Sequence, residues 1–125
     1  MRWQRATSLA IQIDADGSGT IGRILSRLVE AGVRIDGNAK SGDTLRVLTA
    51  DLDAARAVIR HLGLTSQEQE VAVIGLAEES GAIAQLLQDV AAAGLPITFI
   101  YAISMNRVVI SAPDFDGLVG MLMKE

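Results

Sequence analysis

Residues 19–36 read GTIGRILSRLVEAGVRID and residues 81–98 read GAIAQLLQDVAAAGLPIT, and the two align without a gap at an offset of 62. Gly19 meets Gly81, Ile21 meets Ile83, Leu25 meets Leu87, Gly32 meets Gly94 and Ile35 meets Ile97. The stretches that follow, RVLTADLDAARAVIRHL at 46–62 and RVVISAPDFDGLVGML at 107–122, also resemble each other, with a slip of a residue near Pro113. An internal duplication settles the organisation before any single residue is read. Two copies are too few for a solenoid, so two like modules are expected, 1–66 and 67–125.

A chain of 125 residues split this way gives modules that bury only a modest share of their surface and are marginal alone. The halves are therefore expected to share an interface, and the chain to form a homodimer. Aromatics are 3% of the residues, so the core must be built from Leu, Ile, Val and Ala. The net charge of −4 argues against a partner nucleic acid or an anionic membrane surface, each of which calls for a basic patch. The absence of cysteine excludes disulfides, thiolate zinc sites and Cys nucleophiles. The start, MRWQRATSLAIQID, lacks the apolar run of a signal peptide, and no stretch reaches the roughly 20 apolar residues of a membrane span. A cytoplasmic protein is expected.

Alternation of Leu9, Ile11 and Ile13 with polar neighbours predicts a strand over 7–14. Ile21, Ile24, Leu25, Leu28 and Val29 recur at helical spacing, and Gly32 can end that helix in the left-handed conformation. Strands are expected over 33–39 and 44–49 around a Ser41-Gly42-Asp43 turn, then a helix from Asp51 to Leu62. The hydrophilic run 63–70 reads as the link between copies. The second copy predicts a strand over 71–76, a helix over 81–93, strands over 96–103 and 107–112 with a turn at Met105-Asn106, and a helix over 114–123. Strand 96–103 is apolar on both faces and is expected to be covered on both. The order is βαββα, twice. The fold class is α+β: ferredoxin-like βαββα(β) modules, antiparallel sheets with helices on one face. Strand 71–76 can close the first sheet, open the second, or take part in an exchange between copies.

The segment Asp16-Gly17-Ser18-Gly19-Thr20-Ile21 between strand and helix, followed by Ala31-Gly32-Val33, resembles the ACT domain, and Glu78-Glu79-Ser80-Gly81-Ala82-Ile83 with Ala93-Gly94-Leu95 repeats the pattern. The resemblance covers nearly the whole chain. It implies a small-molecule sensor, without catalysis or cofactor, that binds an amino acid near the strand–helix turn and the start of the second strand. It also implies regulation of an enzyme of amino-acid metabolism as partner. Carried onto this chain, it implies ligand contacts from Asp14, Asp16, Gly17, Ser18, Gly19, Thr20 and Ile21 with Arg34, Ile35 and Asn38. In the second copy the corresponding residues are Glu79, Ser80, Gly81, Ala82 and Ile83 with Pro96 and Ile97. Ser18 and Ser80 stand where the family often has Pro, and Arg34 and Pro96 where it often has Asn.

The residues support that chemistry and its bland alternatives. A glycine turn entering a helix leaves backbone N–H groups free for a carboxylate, but Ser18 can equally cap the helix. Asp14, Asp36 and Asn38 can receive an ammonium group or simply form a solvated sheet edge. Gly17, Gly19 and Gly22 fit G-x-G-x-x-G, but a hairpin return within the repeat leaves no room for a dinucleotide-binding half. His61 is the only histidine, so neither a metal site nor a Ser-His-Asp triad is expected. Two other classes remain: a partner subunit of a biosynthetic enzyme with no ligand of its own, and an enzyme using Asp14, Asp36 or Glu78.

Overall fold

Alternating and helically spaced apolar residues resolve into six strands and four helices in the computed structural model, which describes residues 2–14, 18–77, 81–104 and 106–125, with the backbone alone for Ser18. In chain order they are β1 (Arg2–Gln12), α1 (Ser18–Glu30), β2 (Gly37–Ser41), β3 (Thr44–Leu48), α2 (Leu52–His61), β4 (Ser66–Gly75), α3 (Ala82–Ala92), β5 (Phe99–Ser104), β6 (Arg107–Ser111) and α4 (Phe115–Met123). The chain divides into two compact units, Thr7–Gln69 and Met1–Ala6 with Glu70–Glu125.

In the unit Thr7–Gln69 the strands lie in the order β2-β3-β1-β4, the ferredoxin-like arrangement. Leu9 faces Val47 and Ile11 faces Leu45 in antiparallel register. Their side chains point to one face, where α1 supplies Ile24 and Leu28 and α2 supplies Ala55 and Ile59. In the other unit the order β1-β4-β6-β5 reproduces the arrangement. Ala72, Ile74, Val108 and Ile110 meet Leu86 and Val90 of α3 and Phe115, Leu118 and Leu122 of α4.

Each closing strand is lent by a strand that opens the other unit. β1 gives Arg2–Ala6 to one unit and continues from Thr7 in the other; β4 is divided at Gln69 and Glu70. Exchange is therefore the answer among the three possibilities that the repeat leaves open. Trp3 packs against the core built from residues 72–122, and the Arg5 guanidinium lies 5.2 Å from the centre of the Phe115 ring.

Several sequence expectations are corrected. β1 starts at Arg2 rather than Thr7, because Trp3 and Arg5 serve a unit whose other strands come seventy residues later. The run 63–70 holds the division between the units, but as strand rather than loop: Ser66–Glu70 is the first half of β4. Its polar side chains find partners: both Arg56 nitrogens Nε and Nη2 donate to the Glu68 carboxylate at 2.6 Å, and Arg46 donates to Gln69 at 3.1 Å. β2 begins only at Gly37, and β5 only at Phe99. β5 has β6 as its hydrogen-bonded neighbour and ends its unit's strand order, so its residues are half-buried or exposed rather than covered on both faces.

The copies also slip earlier than Pro113. Buried strand positions repeat at 63 (Leu9 with Ala72, Ile11 with Ile74, Leu45 with Val108), while α1 and α3 repeat at 62 (Ile24 with Leu86, Leu28 with Val90). Arg107 is thus the counterpart of Thr44, not of Arg46.

Gly32 and Gly94 end α1 and α3 at φ +80° and +72°. Val33 N–H donates to Leu28 C=O and Gly32 N–H to Val29 C=O; Leu95 and Gly94 repeat this with Val90 and Ala91. These are Schellman endings, with an apolar residue after each glycine over the last turn.

Candidate functional site

β1 and β3 pair antiparallel with Gln12 opposite Thr44. The two-residue turn of the β2–β3 hairpin is thereby set beside the point where β1 leads to α1, and Ile13 N–H donates to Asp43 C=O at 2.8 Å. A cleft of about 500 Å³ opens there, lined by Gln12, Ile13, Asp14, Thr20, Arg23, Asp43 and Leu64. Its size lies within the range of small-molecule sites. Thr20 and Arg23 are three apart in the first turns of α1 and so share a face of the helix. The cleft carries two carboxylates, one guanidinium and one hydroxyl. Asp14 and Asp43 can receive an ammonium group, and Arg23 can hold a carboxylate through paired N–H donors.

Of the residues expected from the sequence, Asp14 and Thr20 line this cleft. Gly19 is exposed in the first turn of α1, and Ile21 packs partly into the core, as does Ile35. Arg34 is committed elsewhere: its N–H donates to the Asp51 carboxylate at 2.8 Å, and its side chain, 86% exposed, pairs with Asp36 at 3.1 Å. Asp51 therefore occupies the N-cap position of α2 without capping it through its side chain. Asn38 is exposed on β2. Asp16, Gly17, Glu78, Glu79 and Ser80 lie outside the described residues, as does the Ser18 side chain. In the second copy Gly81 precedes α3 at φ +95°, Ala82 begins it, Ile83 is 42% exposed, Pro96 is exposed and Ile97 packs onto the core.

Arg23 and Asp43 were not among the expected residues. Asp43 could have been found: antiparallel pairing of a strand with the third strand of a βαββ unit always returns the hairpin turn to the first strand's end. The strand offset of 63 makes Ala77 the counterpart of Asp14 and Asn106 that of Asp43, and the helix offset makes Gln85 that of Arg23. The charged set therefore belongs to the first copy alone among the described residues.

No family model and no curated protein matches the sequence. Solved structures do match. Protein BT0572 from Bacteroides thetaiotaomicron is 22% identical with a TM-score of 0.83, over 98% of this chain and 89% of that one. The regulatory subunit of aspartate kinase from Thermus flavus is 16% identical with a TM-score of 0.66, over 98% and 94%. The fold is that of aspartate kinase regulatory domains. Aspartokinase III from E. coli, solved in complex with lysine and aspartate, is 13% identical with a TM-score of 0.67, over 98% of this chain and 31% of that one. Among the described residues no helix is long and apolar enough to cross a membrane.

Proposed function

We propose that the chain is a tandem ACT-type regulatory protein that binds an amino acid in the cleft at the end of β1. The observation that carries this is the placing of both charge signs, Asp14 and Asp43 with Arg23, around one small cleft beside the first strand–helix turn. A zwitterion needs both. The carboxylates meet the α-ammonium group, and Arg23 with the Thr20 hydroxyl meets the α-carboxylate. The similarity to the regulatory subunit of an aspartate kinase, and to part of an aspartokinase solved in complex with lysine and aspartate, supports an amino acid as ligand and an enzyme of amino-acid metabolism as the regulated partner. Regulation then follows from differential binding: the ligand stabilises the conformation that holds it best and shifts the population towards it.

A thermal-shift panel with the twenty amino acids tests this. At a concentration 100-fold above Kd a ligand adds about 2.7 kcal/mol of stability, so a specific binder stands out clearly. One amino acid or a chemically related few should raise Tm, and the rise should vanish in Arg23→Ala. A flat response to all twenty at millimolar concentration contradicts the proposal.

A further inference from the structure

Arg2, Gly75 and Arg107 form a row across three neighbouring strands of the unit Met1–Ala6 with Glu70–Glu125. Gly75 on β4 lies directly opposite Arg107 on β6. On the other side of β4 runs β1, and a Cβ built on Gly75 would stand 3.7 Å from the Arg2 carbonyl oxygen and 3.9 Å from the Arg2 Cβ. Two arginine side chains thus flank a position that has none. With strands about 4.8 Å apart, the arginine Cα atoms are separated by roughly 10 Å, close enough for both long side chains to reach one small ion. A cleft of about 700 Å³ opens over the row, and Gln4 and Asn106 bring further amide donors to it.

The other copy provides an internal control. The equivalent row, at the offset of 63, is Thr65, Gln12 and Thr44: Gln12 is opposite Thr44, and its N–H donates to Thr65 C=O at 3.0 Å. There the middle position is filled and the flanks are neutral. Only the second copy combines a bare middle with two cations. Gly75, the last residue of β4, adds no side chain, and leaves the backbone between the two arginines open to close approach. Among the described residues no carboxylate forms an ion pair with Arg2 or Arg107, and the two like charges sit side by side. An anion between them would relieve that repulsion.

We propose that this cleft is a second ligand site, separate from the cleft beside Asp14, and that it takes a small dianion. Each guanidinium presents a planar fork that matches a pair of oxygens, so two forks suit a ligand with two negative charges, a dicarboxylate or a phosphate group, better than a single carboxylate. Gly75 supplies the floor on which the ion rests.

The backbone amides of Gly75, Asn106 and Arg107 line the cleft and report on it. Titrating the whole chain with inorganic phosphate and, separately, with succinate at constant ionic strength should give saturable shifts of those amide resonances with at least one of them; which one responds distinguishes the phosphate from the dicarboxylate source. Arg107→Gln should weaken that binding by about tenfold or more, the usual consequence of losing a charge-assisted pair. Gly75→Val should abolish it by filling the floor. The Gly75 backbone is not left-handed, and its Cβ would make only ordinary contacts, so this variant should melt no lower than the parent. The proposal is overturned if neither ion gives a saturable change, if sodium chloride gives the same change, or if binding survives in both variants.

Discussion

Trp3→Ala separates strand exchange from a simple head-to-tail repeat. In sequence Trp3 belongs to the first copy, but its ring packs against the core of residues 72–122. A tryptophan side chain offers about 200 Å² of surface, and with roughly two thirds of it removed from water at about 25 cal/mol per Å² the contribution is about 3 kcal/mol. Residual compactness of the unfolded chain trims this by up to about a third, to about 2 kcal/mol. That is roughly a thirtyfold change in the folding equilibrium of the affected unit. Amide hydrogen exchange reads it residue by residue. Protection should fall at Leu86, Val90, Val108, Ile110 and Leu118, all in the core that Trp3 joins, and hold at Leu28, Val47 and Ile59. Loss confined to the latter three, or no loss at all, would refute the assignment of β1's first half to the second copy's unit.

Gly32→Ala places a side chain at φ +80° in the Schellman ending of α1 and should cost about 1 kcal/mol, read as a lower urea midpoint with unchanged slope. Gly117→Ala would push a methyl group into the Asp114 carboxylate, which caps α4 by accepting Gly117 N–H at 2.9 Å. The loss of that cap should cost about 1 kcal/mol, and the cost should shrink in an Asp114→Ala background, since both changes remove the same bond. The hydrogen bonds from Arg56 hold the Glu68 carboxyl below the usual carboxylate range. A carboxyl depressed by folding stabilises fully above its unfolded value, about 4.3, and loses that contribution as pH falls through the lower folded value. Glu68→Gln should therefore flatten the acid side of the stability–pH curve, as followed by urea unfolding between pH 6 and pH 3 at roughly one-unit steps.

The repeat, the element order and both helix-ending glycines were legible because each rests on local pattern: the period of apolar residues and the demand for positive φ. The strand exchange was not. Arg2–Ala6 and Ser66–Glu70 carry few apolar residues, since a strand whose outer positions pair with Arg46, Arg56 or Phe115 needs no alternation of its own. The candidate site was half legible. Asp14 and Thr20 follow from the turn, while Arg23 and Asp43 come from a helix face and a hairpin whose nearness is tertiary. Arg34, expected at the site because it stands where the ACT family often has Asn, gives its N–H to Asp51 and its side chain to Asp36, partners that only the folded chain brings near.

The most direct test of the ligand site is a backbone amide spectrum recorded while the amino acid that raises Tm is titrated in. The proposed function predicts that shifts cluster at Gln12–Asp14, Thr20–Arg23 and Asp43 and saturate with a single Kd. Saturating shifts centred elsewhere, or none at these residues, would contradict it.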